Sequence, residues 1–210
     1  MAKLNYTMKK QIVIIHGGTS FKTYEDYISY LKNKEISIEK LRPRKEWKDT
    51  LATELGNDYE ILMPRMPNGT NARYDEWKLW FNKIAEILND EVVLIGHSLG
   101  GIFLAKYLSE NTFPKRIIAT ILVAPPFDDT DGADGKESLI DFALPSSLAK
   151  FTEQSGKIYL VHSKDDPVVP FTQLKKYQQA LPNAETVVFK NREHFNQETF
   201  PEIIELIKSI

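Results

Sequence analysis

The chain has 210 residues, of which 42% are hydrophobic and 27% are charged, a composition that excludes a disordered polypeptide and allows a core of its own. It contains no cysteine, which excludes disulfide bonds, thiolate metal sites and a cysteine nucleophile. A net charge of −2 gives no global positive field to hold nucleic acid or an anionic membrane, although it leaves a local basic patch open. The lack of any run of about 20 apolar residues argues against a membrane span. We therefore expect one cytoplasmic domain over residues 1–210, in which residues 1–10 are peripheral.

Short apolar runs and helical patterns alternate along the chain. The runs predict six strands, at residues 12–15, 59–63, 92–95, 117–123, 158–161 and 186–189. Most are continuous and rich in Ile and Val, which is typical of parallel strands buried on both faces. Helices are predicted between Pro43 and Gly56 and at residues 75–88, 102–108 and 200–207. This alternation predicts a three-layer α/β/α sandwich with a mainly parallel six-stranded sheet.

Two connections are long enough to shape a site, at residues 19–50 and 125–147. The first carries basic residues at 40–48 with acids between them, which favours an exposed, salt-bridged helix over an anionic partner. The second is acidic and invites comparison with a calcium loop. The EF-hand spacing fails at its first and twelfth positions, Phe127 and Ser138, so a solvated acidic loop is favoured.

Three tryptophans are further candidates for the core or for a pocket. Helical spacing places Trp77 and Trp80 in the core, and Trp47 is a candidate pocket residue.

The sequence Gly96-His97-Ser98-Leu99-Gly100 follows the third predicted strand and precedes a predicted helix. Its two glycines permit a sharp strand-to-helix turn that lifts the serine hydroxyl above the end of the sheet. The helix N-terminus then presents free backbone N–H groups beside that hydroxyl. The pattern predicts Ser98 as a nucleophile, and the alternative is a glycine-rich turn with an idle serine.

A serine nucleophile needs a base, and the base needs an acid that orients it. In the nucleophile-elbow arrangement the chain order is serine, acid, histidine. His194 follows both Ser98 and the acid candidates Asp165 and Asp166, of which only one can meet the imidazole because adjacent side chains diverge. A role on a surface loop is the alternative for His194, and packing at a strand end is favoured for His162.

Backbone N–H groups are the expected donors to an oxyanion. One would come from Leu99, directly after the nucleophile. The other would come from the loop after the first strand, where Gly18 is the first candidate and Thr19 the alternative.

Taken together, these segments resemble the α/β-hydrolase superfamily, and the stretch at 163–170 looks most like small serine hydrolases related to retinoblastoma-binding protein 9. The resemblance implies Ser98 as nucleophile, His194 as base and Asp166 rather than Asp165 as acid. The segment at 125–147 is short, so we expect no large cap domain, and the connection at 19–50 is longer than in many relatives. The resemblance also implies supporting roles for residues of the elbow and the oxyanion loop, namely His16, Gly17, Gly96, His97 and Gly100.

The expected activity is hydrolysis of a small carboxylic ester, thioester or amide through an acyl-enzyme on Ser98. The expected partner is a small acyl substrate, with no metal, organic cofactor, nucleic acid or membrane. The alternative is a non-catalytic interaction module on the same fold, since fold does not imply function.

Overall fold

The computed structural model describes residues 9–130 and 138–210, so part of the acidic calcium-loop pattern, residues 131–137, lies outside the described residues. The strands are β1 Lys10–Ile15, β2 Tyr59–Leu62, β3 Glu91–His97, β4 Arg116–Val123, β5 Lys157–Ser163 and β6 Glu185–Phe189. They form one sheet in the order β2-β1-β3-β4-β5-β6, in which every neighbouring pair is parallel. All six predicted strands are confirmed.

Helices connect the strands and follow the last one. They are α1 Tyr24–Asn33, α2 Ile38–Leu41, α3 Trp47–Leu55, α4 Tyr74–Ile87, α5 Leu99–Glu110, α6 Ala149–Gln154, α7 Thr172–Ala180 and α8 Pro201–Lys208. The predicted start at Pro43 is wrong, because Glu46 and Asp49 form a capping box that begins α3 at Trp47. Gly56 ends this helix as predicted, with a φ of 80° that favours glycine.

The two faces of the sheet are covered by different helices. Along β1, Val13 and Ile15 pack in one apolar cluster with buried residues of α4, α5, α6 and α7. Ile12 and Ile14 point the other way, into a cluster with α3 and α8. This period of two along a strand buried on both faces produces the three-layer sandwich.

The sheet reverses its direction of growth at β1. The chain passes from β1 to β2 on one side and then returns across β1 to β3 on the other. Because such crossovers are right-handed, the reversal puts α3 on one face and α4 on the opposite one. A crevice opens at the carboxyl ends of β1 and β3, the place where open parallel sheets bind ligands.

The expected salt-bridged helix over residues 40–48 is wrong. The chain leaves α2 at Leu41 and enters α3 only at Trp47, so the basic cluster lies mostly in the connection. Of its cations, Lys48 alone pairs with a carboxylate within the described residues, at 2.6 Å from Glu46.

The positions of the three tryptophans also differ in part from those expected. Trp77 is buried as predicted, against the rings of Phe103 and Phe142. Trp80 flanks the buried stripe of α4 and is 44% exposed, so its predicted core position is wrong. Trp47 is buried against Phe200 and does not line the cavity described below.

No helix among the described residues combines the length and the apolar character that crossing a bilayer requires.

Candidate active site

Ser98 lies in the turn between β3 and α5. Its φ of 55° and ψ of −122° are rarely adopted by a residue with a side chain, and they hold the residue at a sharp corner. The two flanking glycines are needed here. A Cβ on Gly96 would lie 2.5 Å from the Gly100 carbonyl oxygen, and one on Gly100 would overlap the Ile15 carbonyl. The Ser98 N–H donates to the Val123 carbonyl at 2.8 Å, which fixes the corner to the neighbouring strand.

Asp166 and His194 meet across the loops that follow β5 and β6. The imidazole Nδ1 lies 2.9 Å from Asp166 Oδ2 and 3.1 Å from Oδ1. The carboxylate is fully buried and also accepts the N–H groups of Val168 and Val169 at 2.8 and 2.9 Å. Asp165 does not contact the imidazole. Because Nδ1–H points to the carboxylate, Nε2 is the nitrogen left to accept a proton.

Ser98 and His194 line one cavity of about 1100 Å³ at the carboxyl edge of the sheet. The structure therefore brings together the serine, the histidine and, behind the histidine, the aspartate. Within the described residues the Ser98 hydroxyl makes no hydrogen bond to His194. Catalytic hydrogen bonds of this kind often tighten only when substrate binds.

The loop after β1 lies directly against Ser98. A Cβ added to Gly17 would be 3.1 Å from Ser98 Cβ and 3.6 Å from Ser98 Oγ. The Thr19 N–H donates to the Gly69 carbonyl at 2.9 Å, which removes Thr19 as an oxyanion donor. The N–H groups of Gly18 and Leu99 have no acceptor among the described residues and remain available to a ligand.

His16 ties this loop to the segment after β2. Its Nε2 accepts the Met66 N–H at 2.9 Å, so the ring carries its proton on Nδ1 and donates to the Gly17 carbonyl at 2.5 Å. Both ring nitrogens are engaged in this way. His16 thus holds the oxyanion loop and has no free nitrogen to serve as a base.

His97 holds the backbone of the candidate base. Its Nε2–H donates to the His194 carbonyl at 2.8 Å, and its Nδ1 accepts from Lys48 Nζ at 3.1 Å. Burial, the Lys48 ammonium and the His194 ring lower the pKa of His97 well below its usual range, so the ring is neutral. Sequence reasoning missed Lys48, because no local pattern connects it with a partner 49 residues away.

A second set of hydrogen bonds holds the histidine loop from the other side. Ser163 Oγ accepts the Arg192 N–H at 3.0 Å and donates to Asp165 Oδ1 at 2.5 Å. The same carboxylate oxygen accepts the Glu193 N–H at 3.0 Å. The Ser163 hydroxyl, with help from the Glu193 N–H, lowers the pKa of Asp165.

The histidine loop needs this support because its backbone is strained. Glu193 and Phe195, on either side of His194, have φ values of 46° and 56°. The Phe195 carbonyl is held by the indole N–H of Trp47 at 3.0 Å. Three elements, β5, α3 and the elbow, thus fix the position of the imidazole.

The cavity walls differ in character. Apolar side chains from the segments after β4 and β5 form part of the lining, namely Pro126, Leu139, Pro167, Val168, Val169 and Pro170. Polar side chains of the long connection after β1 contribute Tyr30, Asn33, Lys34, Glu46 and Lys48. Such a cavity can accept an apolar acyl group beside a polar one.

Comparison with known proteins shows the family and the fold of the chain. A family model described as serine hydrolase matches residues 40–208. Serine hydrolase RBBP9 of Rattus norvegicus is 26% identical over 152 residues, which cover 72% of this chain and 78% of that protein. The ydeN gene product of B. subtilis superposes with a TM-score of 0.66 at 19% identity, with 96% of this chain and 98% of the other covered.

A carboxylesterase from the thaumarchaeon Nitrososphaera gargenis superposes with a TM-score of 0.59 at 16% identity, over 96% of this chain and 89% of that one. At these identities the two superpositions show the shared α/β-hydrolase fold alone. The family model, however, matches most of the sequence. The chain therefore belongs to the serine hydrolase family.

Proposed function

We propose that this hydrolase cleaves small carboxylic esters through an acyl-enzyme on Ser98, with thioesters and amides as related substrates. The observation that carries the proposal is the buried Asp166–His194 pair, which opens onto the same cavity as a serine held at a strained corner. Each of these groups has the environment that its role in acyl transfer requires.

The reaction begins when His194 Nε2 takes the proton of the Ser98 hydroxyl and the oxygen attacks the carbonyl carbon of the substrate. The Asp166 carboxylate stabilises the imidazolium that forms. The N–H groups of Gly18 and Leu99 donate to the developing oxyanion, and the loss of one such donor typically costs about 3–4 kcal/mol of transition-state stabilisation.

Collapse of the tetrahedral intermediate breaks the bond to the leaving group. His194 returns its proton to the departing alcohol, and the acyl group stays on Ser98. A water molecule, deprotonated by His194, then attacks the acyl-enzyme and releases the carboxylic acid. The serine regains its proton from the imidazolium, which closes the cycle.

The surroundings of the four histidines favour His194 for this role. Both ring nitrogens of His16 are hydrogen-bonded, to the Gly17 carbonyl and the Met66 N–H. Both ring nitrogens of His97 are also hydrogen-bonded, to Lys48 Nζ and the His194 carbonyl. His162 is fully buried and does not line the cavity. Within the part of the chain that the structure describes, His194 is the one histidine paired with a carboxylate.

A fluorophosphonate probe tests the proposal without knowledge of the natural substrate. We expect the native protein to be labelled and peptide mass spectrometry to place the label on Ser98. The variant Ser98→Ala should stay unlabelled, while Ser109→Ala, a serine further along α5, should react like the wild type. A native, folded protein that resists the probe would favour the non-catalytic interaction module instead.

The ester preference needs a separate measurement. We expect p-nitrophenyl acetate and longer p-nitrophenyl esters to be hydrolysed faster than matched thioesters and anilides. If the thioester series has the higher kcat/KM, the acyl-enzyme mechanism stands and the proposed substrate class is wrong.

A further inference from the structure

A segment of the long connection after β1 is exposed at all but one of its residues. We name residues 31–45 the strap; it runs from the end of α1 through α2 towards α3. Neither α1 nor α2 contributes a buried residue. The strap nevertheless carries four large apolar side chains in the solvent, which are Leu31 at 47%, Ile36 at 73%, Ile38 at 65% and Leu41 at 67% exposure.

The strap is strongly basic in a chain that is acidic overall. It contains six basic and two acidic residues, a net charge of +4, whereas the whole chain carries −2 and the remainder therefore −6. No basic side chain of the strap forms an ion pair with a carboxylate of the described residues. These basic side chains are Lys32, Lys34, Lys40, Arg42, Arg44 and Lys45.

The strap lies at the entrance to the catalytic cavity. Its residues Asn33 and Lys34 line that cavity, together with Tyr30 just before the strap. Val168, from the segment after β5, also lines the cavity and is 53% exposed, so the rim is apolar there too. A surface that contacts the strap is therefore brought close to Ser98.

We propose that the strap binds an anionic lipid surface. Basic and apolar side chains alternate closely along it, as in Ile38 and Lys40 or Leu41 and Arg42. Anionic headgroups lie directly above an acyl layer, so a lipid surface satisfies both kinds of side chain at once. A symmetric contact between two copies would place one +4 strap against the other and would be repelled.

This surface differs from what net charge alone predicts. The expectation of no membrane partner rested on the total of −2, in which the acidic remainder conceals a basic segment of 15 residues. The field that acts on a lipid headgroup is local, because salt screens charges beyond about 10 Å. The distribution of charge along the chain therefore matters more than its sum.

Sedimentation with lipid vesicles tests the proposal. We expect the protein to bind phosphatidylcholine vesicles that contain about 30 mol% phosphatidylglycerol at least about tenfold more tightly than pure phosphatidylcholine vesicles. The triple variant Ile36→Ser, Ile38→Ser, Leu41→Ser should lose about tenfold or more in this affinity. The triple variant Arg42→Gln, Arg44→Gln, Lys45→Gln should also lose about tenfold or more in affinity. Added salt should weaken the binding of the wild type to anionic vesicles.

A matched variant on α4, Leu79→Ser, Lys83→Gln, Ile87→Ser, removes exposed side chains of the same kinds and should bind like the wild type. Ser98→Ala should also bind like the wild type, so failure of the catalytic proposal leaves this test unaffected. Equal binding to neutral and anionic vesicles, or binding that the strap variants do not change, would overturn the proposal. Self-association that the strap variants abolish would overturn it in favour of a second copy.

Discussion

Two adjacent carboxylates have separate tasks at this site. Asp166 is buried and meets the His194 imidazole, whereas Asp165 accepts hydrogen bonds from the Ser163 hydroxyl and the Glu193 N–H. The first can stabilise positive charge on the His194 imidazole. The second is a positioning residue, because it acts on the backbone that carries the ring.

Replacing Asp166 by Asn should slow fluorophosphonate labelling of Ser98 by about 10³- to 10⁴-fold, because a neutral amide no longer stabilises the imidazolium. Asp165→Asn should change the labelling rate by less than about threefold, since its amide oxygen still accepts both hydrogen bonds. Asp165→Ala should slow it by about tenfold. The measurement is the second-order rate constant of labelling, and a damaging Asp165→Asn beside a mild Asp166→Asn would reverse the assignment.

The site residues that could be predicted are those that a short run of neighbouring residues identifies. The glycines around Ser98 are required by the turn itself, so the elbow was identifiable from five consecutive residues. The alternative between Gly18 and Thr19 could not be settled, because it depends on a contact with Gly69, about 50 residues away. The role of Lys48 could not be predicted for the same reason, because its partner His97 is 49 residues away.

At the scale of elements, strands were easier to predict than helices. Each buried strand is an apolar run that stands out from its surroundings, whereas α1 and α2 contain no buried residue. The start of α3 was misplaced because Pro43 is an acceptable first helical residue by itself. The capping box of Glu46 and Asp49 decides the boundary instead.

The start of α3 also supports the loop that carries His194. The backbone N–H of Trp47 donates to the Gln197 carbonyl at 2.8 Å, and its indole N–H donates to the Phe195 carbonyl at 3.0 Å. The next residue, Lys48, reaches His97. One turn of helix therefore fixes the histidine loop at several points.

Trp47→Phe should lower the free energy of unfolding by about 2 kcal/mol, because it leaves a buried carbonyl unpaired and removes part of a packed ring. The control is Trp80→Phe on α4, where the side chain is 44% exposed and the expected change is below about 0.5 kcal/mol. Urea unfolding followed by circular dichroism measures both. Equal losses in the two variants would contradict a supporting role for α3.

For the whole molecule, two buried histidines make stability depend on pH. Burial lowers the pKa of both His97 and His162, and His162 Nε2 has no partner among the described residues. Above pH of about 6.5 both rings are neutral in the folded and the unfolded chain. Below it, the unfolded chain binds protons that the folded chain does not, so stability falls.

The free energy of unfolding should therefore decrease between pH 7 and about pH 5, by at most about 1.4 kcal/mol per pH unit for each histidine. His162→Asn keeps a donor for the Ser163 carbonyl and removes one titrating group, so its decrease should be smaller. Urea titrations at a series of pH values measure the slopes. Identical slopes for the variant and the wild type would show that His162 is not responsible.

The strand order also bears on how the chain is made. The innermost position of the N-terminal half belongs to β1, whose partners begin at Tyr59 and Glu91. During translation β1 thus leaves the ribosome long before either neighbour exists, as an unpaired apolar segment of the kind that aggregates. Pairing can begin only when β2 emerges, and β1 lacks its second neighbour until β3 does, so Gln11–Ile15 stays open to contact with other chains during that interval.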